Sequence, residues 1–394
     1  MLKDKYSTVI DFGSSELRLA VFNENLSKLF SQSKKILQKK NYSEYFDSIN
    51  LLIKEAESKI STHLEDLIVL YESAYIYSID LSIKKKLDQK INIKDFCSSI
   101  ILEANQLIKD CYTNKKIIHS IIKKYIINDK EYLDISEKLI SSNSIIIEMK
   151  FICLPYREYQ DVIETFKKSN LKVINLFSSS LVKSFKYINS FKESNSVAFL
   201  DIGLDRTTAI FYNKQKIDVL KSISIGGNHI SKDISQIMKL SIDESESLKK
   251  TFNKSEIDFS YNDSDLNENK KIINRIIGKN ISIDLLKKVV LARIEEIIKL
   301  SFKDMNISES IDKKQNLNLV LIGNGSKIFN KNSFQLEDKY NFKEINFYEE
   351  NDYEICKAGL IFRDNFKDIN QAKLMKYQNK LGFFHKFFNF FGNN

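Results

Sequence analysis

The chain has 394 residues, of which 43% are hydrophobic, and a formal net charge of +9. This length and apolar content allow a sizeable core and two or more domains, and they exclude a disordered tail. The charge does not favour a nucleic-acid partner, because lysine, isoleucine and asparagine are used heavily throughout and no Lys/Arg-rich block alternates with aromatic residues. A weak attraction to an anionic membrane surface stays open.

The 4 cysteines and 4 histidines are widely scattered, without a Cys-x-x-Cys pair. This spacing favours neither a zinc site nor a disulfide framework. The amino terminus runs directly into a strand-like segment, and no stretch of about 18 apolar residues follows it. We therefore expect a cytoplasmic protein.

Hydrophobic periodicity predicts strands that alternate with helices, which is typical of an α/β protein. The predicted helices cover residues 44–61, 94–109, the first part of 157–177, a segment from about 230, and 282–304. The predicted strands include residues 66–73, two segments around an Asn128-Asp129 turn, 144–155 with the lone proline at its end, and the last part of 157–177. An acidic, polar segment lies near 253–270.

Two segments repeat one plan, in which an apolar strand leads to an Asp-x-Gly turn, small hydroxyl residues and a second apolar strand. They are "YSTVIDFGSSELRLAVF" at 6–22 and "SVAFLDIGLDRTTAIFY" at 196–212. Their candidate ligand residues are Asp11, Gly13, Ser14 and Ser15, and Asp201, Gly203, Thr207 and Thr208. Glycine lets the backbone approach a phosphate, and the carboxylates can hold a magnesium ion through its waters. The plan predicts a phosphate clamp, although ordinary hairpin turns also use Asp and Gly.

Further glycine turns add candidates for a nucleotide site. They are Gly323, Gly325 and Ser326 in "VLIGNGSKIF", and Gly226 and Gly227 in "SISIGGNHISKDI". Bare backbone in the first of these suits a flat base. Glu246 and Lys249 lie three apart on one helical face, where they are placed either to reach a ribose or to form a solvated pair. Neither a P-loop nor a Rossmann fingerprint is present.

The order of these motifs resembles the actin-like ATPase superfamily, whose phosphate-1, phosphate-2 and adenosine motifs look like "VIDFGSSELRLAVF", "AFLDIGLDRTTAIFY" and "LVLIGNGSKIF". Within it, the chain is most similar to the FtsA family of bacterial cell-division proteins, also through "SIGGNHISKDIS" and "NLKVINLFSSSLVKSF". The resemblance implies an α/β, actin-like (ribonuclease H-like, duplicated) fold with an FtsA-type 1C subdomain. It also implies ATP and Mg²⁺ as cofactors, with Asp11 and Asp201 holding the metal through water.

The same resemblance implies a division into subdomains. The expected pieces are 1A at 1–77 and 156–195, 1C at 78–155, 2A at 196–228 and 300–364, 2B at 229–299, a linker at 365–379 and a membrane-targeting helix at 380–394. Subdomain 1C is expected to mediate self-association. The C-terminal peptide of the tubulin-like FtsZ is expected to bind at 2B, and other division proteins are expected partners.

The chain departs from the family pattern in the phosphate-2 turn, where Gly203 is followed by Leu-Asp-Arg instead of further glycines. Side chains then occupy a turn that should lie against phosphate, although Arg206 is placed to offset Asp205. Asn324 replaces a glycine of the adenosine turn, and Glu16 stands where the family often carries lysine or another small polar residue. We expect nucleotide binding with at most slow hydrolysis, and no residue is assigned as the catalytic base.

The chain ends in "NKLGFFHKFFNFFGNN" after a polar stretch that reads as a linker. A helix from Lys380 would carry an apolar face formed by Leu381, Phe383, Phe384, Phe387, Phe388 and Phe391. A segment this short cannot span a bilayer, but it suits the interface plane of an anionic membrane. Burial of the same face against the protein core is the alternative.

The resemblance to the FtsA family, together with the Phe-rich tail, implies an ATP-binding filament subunit that lies on the inner face of the cell membrane at the division site. There it would tether the FtsZ ring and recruit later division proteins. The alternative is an actin-like component of pilus assembly resembling PilM, against which the Phe-rich tail argues. An actin-fold sugar or acetate kinase would need a catalytic acid in a substrate cleft, and a chaperone would need a peptide-binding domain; neither pattern is visible.

Overall fold

The computed structural model describes residues 6–36, 42–87, 91–133, 135, 139–140, 144–254, 282–303, 317–328, 342–349 and 351–365. The chain forms two compact units. The first contains Met1–Asn189, Lys216–Leu220 and Asn351–Asn394, and the second contains Ser190–Gln215 and Lys221–Glu350. The predicted tail at 380–394 and most of the acidic segment at 253–270 lie outside the described residues.

Strands and helices alternate along the chain, which confirms the α/β prediction. The strands are β1 (Tyr6–Phe12), β2 (Glu16–Asn23), β3 (Lys28–Lys35), β4 (Asp66–Tyr71), β5 (Tyr77–Lys86), β6 (Ile91–Asn92), β7 (Lys115–Ile127), β8 (Lys130–Tyr132), β9 (Leu139–Ile140), β10 (Ser144–Pro155), β11 (Lys172–Ser178), β12 (Ser196–Ile202), β13 (Thr207–Asn213), β14 (Lys216–Ile223), β15 (Leu317–Ile322) and β16 (Phe342–Phe347). The helices are α1 (Tyr42–Ile60), α2 (Ile93–Cys111), α3 (Tyr156–Lys168), α4 (Ser179–Ile188), α5 (Gly227–Met238), α6 (Ile242–Lys254), α7 (Ile283–Phe302) and α8 (Asp352–Asn365). Short 3-10 helices cover Asn189–Phe191 and Asn324–Ile328.

The first unit contains a five-stranded sheet in the order β11-β4-β1-β2-β3. β1 pairs antiparallel with β2 and parallel with β4, and β4 pairs parallel with β11. Helix α8 packs against β1 and β2 with Cys356, Leu360 and Phe362 fully buried. Because parallel strands end at a common edge, this sheet brings the ends of β1, β4 and β11 together, and the end of β1 carries Asp11 of the first Asp-x-Gly turn.

A second part of the first unit is built from the antiparallel strands β5, β10, β7 and β8. Alternate residues of these strands face helix α2, as the two-residue period of a strand requires. The resulting core includes Ile83, Ile100, Ala104, Ile147 and Phe151. Asn128 and Asp129 join β7 to β8 with φ angles of 48° and 63°, which is typical of a type I′ hairpin turn and confirms the two predicted strands.

In the second unit, β12 pairs antiparallel with β13 and parallel with β15, and β15 pairs parallel with β16. Helix α5 packs against α6 and α7. Arg293 of α7 binds Asp233 of α5 through two hydrogen bonds of 2.6 and 2.8 Å. Helix α5 begins at Gly227, three residues before the predicted start, because the extended residue Gly226 precedes its first turn.

None of the helices in the described part of the chain combines the length and the apolarity that a membrane crossing requires.

Candidate functional site

The first Asp-x-Gly turn joins β1 to β2 in the first unit. Asp11 lies opposite Arg18 in the hairpin register, and Arg18 Nη1 lies 2.9 Å from Asp11 Oδ2. Ser179 at the start of α4 donates to the other oxygen, Asp11 Oδ1, at 2.8 Å. The second guanidinium nitrogen of Arg18 donates to Glu16 Oε2 at 2.6 Å. The carboxylate predicted to hold a metal therefore already has a buried cationic partner.

Gly13 is required by the backbone of this turn, because a Cβ atom there would lie 2.7 Å from the carbonyl oxygen of Glu16. Ser14 is exposed at the tip, and Ser15 is half-buried. The Ser15 carbonyl accepts a hydrogen bond from the Ile36 amide at 2.9 Å. The small residues at this tip thus keep the hairpin tight and its end open.

A network at the amino terminus of α4 was not predicted from the sequence. Glu72, directly after β4, accepts hydrogen bonds from Ser178 Oγ and from the Ser180 amide, both at 2.8 Å. The Ser178 amide donates to His119 Nε2 at 3.0 Å. Burial lowers the pKa of His119 to about 3, which keeps the imidazole neutral. The run of three serines after a strand was the sequence signal for this capped helix start.

The second Asp-x-Gly turn joins β12 to β13 in the second unit, and the Gly203 amide closes it by donating to the Arg206 carbonyl at 2.8 Å. Arg206 Nη1 donates to Thr208 Oγ1 at 3.1 Å, and Arg206 Nη2 lies 3.7 Å from Asp201 Oδ2. Asp205, which Arg206 was expected to offset, accepts a hydrogen bond from Asn228 Nδ2 at 3.1 Å. The arginine of this turn thus lies beside the carboxylate that was predicted to hold the metal.

The hydroxyl groups predicted as phosphate donors bond within the turns. Thr207 Oγ1 donates to the Ile225 carbonyl at 2.7 Å, and Ser326 Oγ donates to the Gly323 carbonyl, also at 2.7 Å. Thr208 Oγ1 shares a hydrogen bond of 3.0 Å with Ser222 Oγ. Since each hydroxyl has one proton, Thr207 and Ser326 here act as braces of the backbone.

The structure brings together the three glycine turns of the second unit. The Gly227 amide donates to the Gly203 carbonyl at 2.9 Å. A Cβ atom on Gly226 or Gly325 would lie 2.7 or 2.8 Å from that same carbonyl oxygen. Gly323 has a φ of +86°, and a side chain there would also collide with Asp201 Oδ1. These glycines are needed because backbone packs directly on backbone.

Glu246 and Lys249 of α6 also reach these turns, and they do not form the solvated pair that was one alternative. Lys249 Nζ donates to the Gly227 carbonyl and to Ser231 Oγ, both at 2.9 Å, and to Glu246 Oε2 at 2.5 Å. The side chains of Lys249 and Glu246 are 12% and 30% exposed. Burial acts to raise the pKa of Glu246, but the charge of Lys249 and the hydrogen bonds from Lys249 and Ser231 outweigh it and lower the pKa.

The carboxylates predicted to hold a metal fit a divalent ion poorly, because an arginine already lies beside each of them. In the second unit, bare backbone converges next to the basic side chains of Arg206 and Lys249. A divalent cation at Asp11 or Asp201 would meet a guanidinium already beside the carboxylate. Within the ranges that the structure describes, no group of three or more His, Cys, Asp or Glu is arranged to hold a metal.

The family model described as "Cell division protein FtsA" matches residues 198–332, the segment that contains the second Asp-x-Gly turn and most of the glycine turns. No curated protein matches the chain.

Solved structures resemble the chain over most of its length. The PilM-PilN type IV pilus biogenesis complex is 14% identical, with 89% of each chain covered and a TM-score of 0.55. The diol dehydratase-reactivating factor in nucleotide-free form is 8% identical, with 92% of this chain and 100% of that chain covered and a TM-score of 0.51. MreB 5 of Spiroplasma citri bound to AMPPNP is 11% identical over 92% of this chain and 97% of its own, with a TM-score of 0.48. The chain therefore has the actin-like fold, and its residues 198–332 match the FtsA family.

Proposed function

We propose that this chain is a nucleotide-binding, actin-like protein of bacterial cell division that tethers FtsZ to the inner face of the cell membrane. The observation that carries the proposal is the match of residues 198–332 to the FtsA family. The same segment contains the converging turns around Gly203, Gly226 and Gly227, which supports a nucleotide as the ligand.

ATP is the proposed nucleotide. The residues proposed to bind it lie in the second unit, where the structure gives their contacts. Backbone of the three glycine turns would lie against the ligand, and Arg206 and Lys249 would supply positive charge. The residues Asp11, Gly13, Ser14 and Ser15 of the first unit stay predictions as ligands. We expect at most slow hydrolysis, because three side chains, Leu204 to Arg206, stand where the family pattern has glycines.

Self-association is proposed to use the part of the first unit predicted as subdomain 1C, residues 78–155. Its strand β8 lies at the end of the strand order β5-β10-β7-β8. Tyr132 of β8 is exposed, and Leu133, which follows the strand, is 37% exposed. Large apolar side chains beside a sheet edge favour contact with a second copy. A Tyr132→Glu variant is expected to sediment as smaller assemblies than the wild type, while its ATP affinity stays unchanged.

Membrane association is proposed for the apolar face of 380–394, including Phe387, which lies outside the described residues. A charge placed on this face would weaken insertion into an anionic bilayer. One tail would bind reversibly, and an assembly carrying many tails would bind far more firmly through effective concentration.

The test of the whole proposal is a reconstitution with anionic vesicles and FtsZ from the same organism. FtsZ should float with the vesicles only when the wild-type chain is present. Two variants are compared with the wild type: Phe387→Glu and a chain ending at Asn379. Neither variant should bind the vesicles or recruit FtsZ to them, and both should melt at the wild-type temperature. Wild-type chain that floats without recruiting FtsZ would contradict the division role.

The pilus-assembly alternative rests on the fold shared with PilM, and an identity of 14% shows the fold alone. The reconstitution also separates the two functions, because a pilus component has no reason to bind FtsZ. If Phe387→Glu binds vesicles as well as the wild type does, the Phe-rich tail no longer argues against the pilus-assembly alternative.

A further inference from the structure

Each of the two carboxylates predicted to hold magnesium has an arginine beside it, but the two arginines are held differently. Arg18 of the first unit is 6% exposed and bonds both Asp11, at 2.9 Å, and Glu16, at 2.6 Å. Arg206 of the second unit lies 3.7 Å from Asp201, and its side chain is 16% exposed. Arg18 is therefore fixed between two carboxylates at hydrogen-bond distance, whereas Arg206 lies farther from Asp201 and its side chain is more exposed than the 7% of Arg18.

The turn that carries Arg206 is the one that departs from the glycine-rich pattern. Its backbone is closed by the hydrogen bond from the Gly203 amide to the Arg206 carbonyl at 2.8 Å, which fixes where the arginine leaves the chain. Arg206 Nη1 is further oriented by Thr208 Oγ1 at 3.1 Å. The departure thus places an oriented guanidinium at a turn where the pattern would offer only backbone amides.

The positive charge of the Arg206 guanidinium affects whether magnesium or phosphate is favoured beside Asp201. Asp201 is 1% exposed, and a buried carboxylate needs a cationic partner to offset its lost hydration. Arg206 supplies that partner permanently, because a guanidinium stays protonated at all ordinary pH values. A magnesium ion at the same carboxylate would be repelled by Arg206. A phosphate group would be attracted by the guanidinium of Arg206.

We propose that Arg206 binds the phosphate groups of the nucleotide directly and that nucleotide binding by this chain requires no divalent metal. This inference rests on the proposed nucleotide binding and adds the residue and the metal requirement. Arg18 has a different part in it, since it holds Asp11 within the first hairpin and is a positioning residue only.

The test is calorimetric titration of the full-length chain with ATP and with adenosine, each in magnesium and in EDTA. The wild type should bind ATP with affinities that differ by less than about tenfold between the two conditions. Arg206→Gln should weaken ATP binding by at least about tenfold in EDTA and leave adenosine binding unchanged. Arg363→Gln is the matched control, because Arg363 pairs with its neighbour Asp364 at 2.9 Å and should bind ATP as the wild type does.

The possible failures are distinguishable. A wild type that binds ATP only with magnesium, or an Arg206→Gln variant with wild-type ATP affinity, overturns this inference and leaves nucleotide binding intact. A wild type that binds ATP in neither condition overturns the proposed nucleotide binding and this inference with it. The comparison of magnesium with EDTA uses the wild type alone, so it holds even where Arg206→Gln does not fold, and Arg206→Lys then tests the need for a positive charge.

Discussion

Arg18 and Asp11 face each other across the first hairpin and form an ion pair of 2.9 Å in which their side chains are only 7% and 4% exposed. A pair buried to this extent behaves asymmetrically on substitution. Removing one partner leaves an uncompensated charge in the core, whereas replacing both with neutral residues of similar volume can be nearly harmless.

We therefore expect Arg18→Leu to lower the free energy of unfolding by about 3–5 kcal/mol. The double variant Asp11→Asn with Arg18→Leu should recover part of this loss, because the charge at Asp11 is removed and only the carboxylate of Glu16 still loses its cationic partner. Urea unfolding of both variants and the wild type measures the difference. A double variant as unstable as the single one would show that the guanidinium matters for packing and not for charge.

His119 is expected to make the first unit acid-sensitive. Burial lowers its pKa to about 3, while the unfolded chain has an ordinary histidine pKa of about 6.5. Between these values the unfolded state binds more protons, so this stability is present above about pH 6.5 and is lost as the pH falls toward 3, by up to about 1.4 kcal/mol per pH unit. His119→Gln should show a shallower decline in urea midpoint over this range than the wild type, and an equally steep decline would contradict the assignment.

Lys249 and Lys250 form a matched pair for testing the α5–α6 contact. Lys249 is bonded to Gly227, Ser231 and Glu246, whereas the Lys250 side chain is 69% exposed and 3.5 Å from Glu246. Lys249→Met should cost roughly 1–3 kcal/mol of unfolding free energy, because it leaves buried acceptors without their donor. Lys250→Met should melt at nearly the wild-type temperature, and equal melting of the two variants would contradict the assigned contacts.

The lowered pKa of Glu246 gives this contact a pH dependence of defined sign. A carboxyl group with a folded pKa below its unfolded value stabilises the fold above the unfolded pKa, near 4.3. That contribution is lost as the pH falls through the folded pKa. The difference in melting temperature between wild type and Glu246→Gln should therefore be large at pH 7 and shrink below about pH 4. A difference that does not change with pH would show that Glu246 acts through shape alone.

Gly323 and Gly359 are expected to respond differently to replacement by alanine, because the backbone requires a glycine only at Gly323. Gly323 has a φ of +86° and a Cβ position 2.6 Å from the Ile202 carbonyl oxygen, whereas at Gly359 in α8 the nearest atom is a Leu70 methyl carbon at 3.0 Å. We expect Gly323→Ala to cost at least about 2 kcal/mol. Gly359→Ala should cost less, because the gain in helix propensity offsets part of the shift that the buried Leu70 and Val9 side chains must make. Thermal melts of both variants measure these losses, and a larger loss for Gly359→Ala than for Gly323→Ala would contradict the prediction.

Much of the fold was predictable because it depends on local patterns. The Asn128-Asp129 hairpin and the two Asp-x-Gly turns each show in a few consecutive residues, and the glycines of the second unit were recognised as one group. The contacts of the side chains were not predictable in the same way. Glu72 and Ser178 meet because β4 and β11 end at one edge of their sheet, and His119 reaches Ser178 from the interior of β7 in another sheet. No local signal in the sequence links the three residues.

Arg18 and Arg206 differ in how far their contacts could be predicted from the sequence. Asp11 and Arg18 become cross-strand partners as soon as the short turn between β1 and β2 is recognised, so that pair was within reach of the sequence. The approach of Arg206 to Asp201 depends on the backbone path of a turn with three unusual residues, and the sequence alone predicted Asp205 as the partner of Arg206. Periodicity specifies which faces are buried, but it does not specify where a long charged side chain ends.

Helix α8 has a consequence for how the chain is synthesised. Its fully buried residues Cys356, Leu360 and Phe362 complete the core beneath β1 and β2, yet they are translated more than 300 positions after those strands. A ribosome therefore adds more than 300 residues after β2 before the first unit can close, and until then the apolar surface that α8 will cover stays open to solvent. A fragment ending at Asn189 carries that open surface permanently, so it should aggregate where the complete chain folds, and chaperone binding to nascent chains should persist until residue 365 has left the exit tunnel.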